Sequence, residues 1–161
     1  MKKLYPLLSV LFLIYWGCDK KPERNEIVSE RHPNGLKKVV SVFEGTGINE
    51  VLVGRYGFYE SGLRSSIILY KNNEFDGLCT WWYESGQKVS EITYKGGEVD
   101  GFFTSWYENG RKSFEGTYKD GKRDGLCIWW YENGQKKEET TYKFGKEISK
   151  KEWNEDGSVK E

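Results

Sequence analysis

Strand-length runs of mixed apolar and polar residues recur along most of the chain, each broken by a short polar segment that ends in glycine. Residues 102–107 (FFTSWY) and 112–118 (KSFEGTY) are two such runs, separated by Glu108-Asn109-Gly110-Arg111. Asn-Gly between β-prone runs is a strong hairpin signal, because both residues tolerate positive φ. With Asn109 and Gly110 as the central residues of a type I′ turn, Tyr107 is expected opposite Lys112 and Trp106 opposite Ser113. Matching pairs stand at Asn34-Gly35, Ser61-Gly62, Ser85-Gly86, Asn133-Gly134 and Asp156-Gly157. No stretch combines helical periodicity with caps, so helices are not expected.

The hairpins keep a fixed step. Gly62, Gly86, Gly110 and Gly134 are 24 residues apart, as are Tyr59, Tyr83, Tyr107 and Tyr131, and likewise Tyr70, Tyr94, Tyr118 and Tyr142. Trp82, Trp106 and Trp130 follow the same step, preceded by Phe58 and followed, one residue early, by Trp153. Segments such as YKDGKRDG (residues 118–125) join the units, and their glycines permit a second reversal. The expected fold is therefore all-β: tandem hairpins forming one elongated, twisted antiparallel sheet in which each unit touches only its neighbours. Period-2 alternation puts Leu78, Thr80 and Trp82 on one face and Cys79, Trp81 and Tyr83 on the other. A single layer has nothing to cover it, so aromatic ladders burying area against themselves account for the 16% aromatic content.

Composition then narrows the chemistry. His32 is the one histidine, which rules out a multi-histidine metal cage and leaves one residue at most for a histidine-based triad. The 25 basic and 25 acidic residues cancel, so the broad basic field of a nucleic-acid binder is absent. Cys79 and Cys127 occupy one ladder two units apart, about 19 Å at about 4.8 Å per strand, too far for a disulfide. They read as small apolar ladder residues. Glu60, Glu84, Glu108 and Glu132 lie about 10 Å apart by the same spacing and cannot share one cation. They read as a solvated rim beside Arg64, Lys88, Lys112 and Lys136. His32 takes the place of the later tyrosines beside a turn and reads as a surface residue. No catalytic residue, metal ligand or cofactor site is identified.

The N-terminus is of another kind. Met1-Lys2-Lys3 precedes an apolar run of 13 residues, Leu4 to Trp16, too short to span a bilayer comfortably and of the size of a signal-peptide core. It ends at Gly17-Cys18, followed by polar DKKPERNE. A cysteine behind a small residue at such a junction resembles the lipobox of bacterial lipoproteins, although Tyr15 and Trp16 replace that family's usual leucine and small residue. The resemblance implies cleavage before Cys18 and a diacylglycerol on its sulfur. Acyl chains contribute about 0.8 kcal/mol per buried methylene, enough to hold the protein on a membrane. Loss of residues 1–17 removes Lys2 and Lys3 and leaves a charge of −2. The organisation read from these features is a signal peptide over 1–17, a lipidated cysteine and polar tether over 18–29, and the repeat domain over 30–161.

The repeats themselves resemble a known family. DGKRDG (120–125) behind Tyr118 looks like the core of a MORN repeat, and WYENGQK (130–136) resembles the bacterial MORN-repeat-variant group, often labelled as antitoxins. The Gly-x-Gly of eukaryotic MORN units is Gly125-Leu126-Cys127 here, so their membrane-lipid roles are not carried over.

Two function classes remain open: a non-catalytic, membrane-anchored module that binds a protein partner, of antitoxin or immunity type, and a cell-envelope scaffold that holds glycan or peptidoglycan on its aromatic ladders. Either places the protein in the cell envelope. A binding site must use residues that differ between units, because recurring ones are explained by turns and ladders. Trp81 and Trp129, with Gly57 and Ser105 in their column, and Phe103 between Cys79 and Cys127 meet that condition. Together with Tyr83, Tyr107 and Tyr131 on the same face they form the candidate partner surface. Replacing the anchor residue, Cys18→Ser, is expected to abolish lipid attachment and leave precursor retaining residues 1–17, read by metabolic acyl labelling and detergent partitioning. Normal processing and unchanged partitioning would refute the lipobox reading.

Overall fold

A computed structural model describes residues 23–160, so the expected signal peptide and Cys18 lie outside the described residues. Twelve strands form one open antiparallel sheet: β1 (Arg24–Arg31), β2 (Lys37–Glu44), β3 (Val51–Phe58), β4 (Arg64–Lys71), β5 (Glu74–Phe75), β6 (Gly77–Trp82), β7 (Lys88–Lys95), β8 (Glu98–Trp106), β9 (Lys112–Lys119), β10 (Lys122–Trp130), β11 (Lys136–Lys143) and β12 (Lys146–Glu152). Strands follow in chain order, each hydrogen-bonded to its sequence neighbours, with β5 pairing only β4. A single 3-10 turn, Gly47–Asn49, links β2 to β3. The expected all-β hairpin array is the fold observed. The sheet begins earlier than the first turn signal suggests. Arg24–Ser29, read as tether, belong to β1, because their backbone pairs with β2 even though their polar side chains stay largely exposed.

The turn type at the tips differs from expectation. At the Asn-Gly tips, Gly110 N–H donates to Tyr107 O (2.9 Å) and Tyr107 N–H to Arg111 O (2.8 Å). Gly110 has φ +81°, whereas Asn109 is not among the non-glycine residues at positive φ. This is a type I turn closed by a glycine bulge. The extra residue shifts the pairing, so Trp106 faces Lys112 and Ser105 faces Phe114, leaving Ser113 unopposed. Tyr107 belongs to the turn and has no strand partner opposite. The two-residue type I′ turns sit instead at the links, where both central residues have positive φ: Asn72-Asn73, Gly96-Gly97, Asp120-Gly121 and Phe144-Gly145. Links are harder to read in sequence because Asn-Asn, Gly-Gly and Phe-Gly share no dipeptide.

A second irregularity follows each of the first three links. Gly77, Gly101 and Gly125 have φ of +103°, +126° and +116° inside or at the start of a strand. The register slips there: Tyr118 faces Arg123 and Gly116 faces Cys127, so three residues of β10 oppose one of β9. A Cβ on Gly101 would also come within 3.1 Å of Thr93 Cβ, so the position suits glycine on two counts. The preceding aspartates brace the next link: Asp100 Oδ2 accepts from Asp120 N–H (3.4 Å) and from Lys119 Nζ (2.6 Å). The Lys119 hydrogen bond is the main reason the Asp100 carboxyl titrates below its ordinary range.

Two columns run across the sheet on one face. The first reads Gly57, Ser66, Trp81, Ser90, Ser105, Phe114, Trp129, Glu138, Glu152. The second reads Cys79, Ile92, Phe103, Gly116, Cys127, Thr140, Lys150. The second is closely packed at Gly116, where a Cβ would stand 2.7 Å from both Cys127 Sγ and Phe114 Cζ. Cys79, Cys127 and Thr140 are fully buried there, and Phe114 nearly so. Both thiols are free, and burial pushes them above their ordinary range, so they stay protonated at neutral pH.

The tips are tied to one another. Tyr59, Tyr83, Tyr107 and Tyr131 each donate a hydroxyl proton to the carbonyl at the next tip, that of Trp82, Trp106, Trp130 and Trp153, over 2.5–3.0 Å. His32 Nε2 makes the same contact with Phe58 O at 2.8 Å. It is half-buried and structural, which corrects its reading as a surface residue. Asn34, Asn109 and Asn133 add a second tie to the carbonyls of Glu60, Glu132 and Glu155 and accept from the N–H two residues on. Lysines complete the ladder: Lys88, Lys112 and Lys136 stand 5.6, 6.0 and 5.6 Å from the ring centroids of Trp106, Trp130 and Trp153.

Gly110→Val forces a β-branched residue to positive φ and is expected to cost on the order of 1–3 kcal/mol. Gly157→Val, in a terminal tip with one neighbour, should cost less by thermal melting. Equal losses would contradict nearest-neighbour stacking. Conversely, Ser85→Asn places the missing amide beside the Glu108 carbonyl and should raise stability by about 1 kcal/mol, a Tm increase of about 2–4 °C.

Candidate binding face

The candidate partner residues separate into three groups. Tyr83, Tyr107 and Tyr131 spend their hydroxyl protons on the neighbouring tip carbonyls, so these hydroxyls tie the sheet together rather than standing free for a partner. Burial, followed by the Glu132 and Glu155 charges, raises the Tyr107 pKa, which keeps the phenol in its donating form.

Trp81 lies in a groove of about 500 Å³ with Tyr59, Ser66, Ser90, Ile92 and Tyr94 around it. The groove exists because the column is interrupted. Ser66 and Ser90 face Trp81 on either side and are too small to stack on the indole. Tyr94 closes one end, its phenol raised by burial and then by the nearby Cys79. The bulge residues Ser65 and Val89, with Trp82, supply the rest of the lining.

Phe103 and Trp129 come together in a second, smaller cavity of about 240 Å³ with Ser105, Phe114, Tyr118 and Arg123. Phe114 is its floor, with ring centroids 5.0 Å from Phe103 and 4.9 Å from Trp129. Trp81 and Trp129 are four strands apart in their column, about 19 Å, so the face carries two sites rather than one continuous row.

Sequence reasoning passed over Arg123. It occupies the step of Phe75, Val99 and Glu147. Phe75 packs edge-on between Tyr70 and Tyr94, at 5.3 and 5.2 Å. Arg123 takes the equivalent place between Tyr118 and Tyr142, with Nε bonded to Tyr118 Oη (3.3 Å) and Nη1 to Tyr142 Oη (3.2 Å). Its guanidinium carbon lies 5.0 Å from the Trp129 centroid and 5.2 Å from that of Tyr142. The Tyr118 hydrogen bond is the main cause of its raised pKa. The signal that would have found it is the one used for the tryptophans: variation at a repeat position, here in charge rather than ring size.

Among the described residues no three potential metal ligands converge, and no helix is long and apolar enough to cross a membrane. No curated protein matches the sequence. Residues 75–95 and 123–144 match the family model described as MORN repeat variant. These segments take in the β6–β7 and β10–β11 hairpins, which contribute Trp81 and Trp129. MORN repeats are generally non-catalytic modules that often serve in binding, and over these two hairpins the protein is similar to the MORN repeat variant family.

Proposed function

We propose that the protein is a non-catalytic repeat module that binds a protein partner through the face bearing Trp81, Phe103 and Trp129, and that a lipid on Cys18 holds it at a membrane of the cell envelope. The observation that carries the binding role is the interrupted column. Gly57, Ser66, Ser90, Ser105 and Phe114 share the column with Trp81 and Trp129 in no regular order, so the repeat itself does not require indoles there, and they border grooves instead. Half-buried tryptophans with polar neighbours suit protein interfaces, where one such anchor can contribute about 2 kcal/mol or more. The regular ladder has the opposite character. Trp106 packs under Lys88, and its carbonyl holds Tyr83, so its role is in folding.

Apolar attachment at Cys18 would bring the sheet to the envelope surface and leave both faces open. An antitoxin or immunity role is the narrower form of this reading and rests on the family resemblance alone.

The test pairs native pull-down from detergent-extracted membranes with thermal melting. Trp81→Ala and Trp129→Ala are expected to weaken retention of the captured partner more than they lower Tm. Trp106→Ala should chiefly lower Tm. Equal behaviour of all three would move the interface off this face. Glycan-array binding lost in the Trp81 and Trp129 variants, without a retained protein, would replace the partner reading with the envelope-scaffold one.

A further inference from the structure

Arg123 is a half-buried cation that has no carboxylate partner among the described residues. Two of the acids near it in sequence and column are engaged elsewhere: Asp124 with Lys143 (3.2 Å) and the Phe144 N–H, and Glu138 with Lys150 (3.2 Å) and the Thr140 hydroxyl, while Glu147 stands beyond Tyr142 on β12. Among the described residues, no carboxylate reaches ion-pair distance of the guanidinium. Its two assigned hydrogen bonds go to neutral phenols through Nε and Nη1, leaving N–H donors over. Two aromatic faces hold the planar group in place, so little side-chain freedom is left to lose on binding. Beside it opens the apolar cavity of Phe103, Phe114 and Trp129, edged by Ser105. The homologous position in the preceding units holds Phe75 or Val99, so the fold does not need a charge there.

Resting on the partner-binding reading above, we propose that Arg123 makes this cavity a subsite for a carboxylate carried next to an aromatic or large apolar group, as in an acidic peptide segment. Spare N–H donors receive the carboxylate oxygens while the apolar group lies against Trp129 and Phe103. Charge-assisted bonds to a preoriented guanidinium are stronger than neutral ones, and a bidentate fork gives them direction. The carboxylate has two possible sources, the α-carboxylate at the end of a peptide or an Asp or Glu side chain within one.

The full-length protein in detergent micelles is titrated with three probes: N-acetylphenylalanine, which carries a terminal carboxylate; N-acetylphenylalanyl-glutamic acid α-amide, which carries only a side-chain one; and neutral N-acetylphenylalanine amide. The Trp129 indole N–H resonance reports occupancy. At least one acidic probe is expected to bind about tenfold more tightly than the neutral amide, and the tighter of the two identifies the source. Arg123→Val, which copies the residue type of Val99 in the neighbouring unit, should keep the fold by melting and erase the preference, while Arg123→Lys retains part of it.

An amide that binds as well as the acids, a preference that survives Arg123→Val, absence of binding by every probe, or displacement by inorganic phosphate at lower concentration than either acid would overturn the carboxylate assignment. Partner retention in the pull-down separates the two levels. Dependence on Trp129 without dependence on Arg123 leaves the protein-binding role standing and removes only the carboxylate subsite. Dependence on neither removes both.

Discussion

Each hairpin tip is tied to the next by a side chain that reaches one unit ahead and donates to a main-chain carbonyl, from His32 to Phe58 at one end through Tyr131 to Trp153 at the other. The ladder matters because a single-layer sheet has no second layer against which to lock its strands. Backbone pairing sets the strand spacing, but the tips project beyond the last ladder pair, where carbonyls would otherwise turn to water. A phenol meets the geometric need, since its ring covers the gap between tips and its hydroxyl satisfies the far carbonyl. One such bond contributes only about 0.5–1.5 kcal/mol. Repeated at each junction it couples every unit to its neighbour, which is the condition for a cooperative linear array. The imidazole of His32 reaches the same carbonyl because what the position demands is a flat ring with a donor at its far edge.

This constraint divides the surface into parts with different freedom. Residues that tie the array must recur: the tip tyrosines, the lysines over Trp106, Trp130 and Trp153, and the aspartates that brace the links. Interior columns are less constrained, since any combination of large and small residues that fills the space is acceptable. Phe103 over Gly116 and Ile92 beside Cys79 are two solutions to one packing problem. Where that freedom leaves an indole among serines, or an arginine in a slot held in other units by Phe75, Val99 and Glu147, the repeat scaffold does not require the choice, which is the ground for the binding role proposed above.

The apparent weakness of the fold as a container is consistent with that use. Among the described residues, the clefts that border Trp81 and Trp129 are open grooves between column residues. Open surfaces of this kind suit recognition by area and a few anchors, the mode the proposed partner role requires. The buried thiols point the same way: burial keeps Cys79 and Cys127 protonated, so they act as small packing residues rather than as nucleophiles.

How much of this is legible in the sequence follows the range of each interaction. The all-β class, the step of 24 residues and the sharing of one column by Trp81 and Ser105 are readable because period and alternation are local properties that every unit repeats. Asn109 misleads because Asn-Gly suits more than one hairpin turn, and only pairing with the opposite strand chooses between them; the bulge that brings Trp106 opposite Lys112 also displaces Ser113. The role of His32 is hidden because its partner, Phe58, is 26 residues away and is met through a backbone atom that has no sequence signature. Arg123 is hidden for a related reason: a cation in a lysine-rich link looks solvated until the sheet brings Tyr142 and Trp129 against it from separate positions in the sequence. Local pattern thus determined the architecture, while the grooves and their charge were decided by register, which depends on bulges that a residue-by-residue alternation does not count.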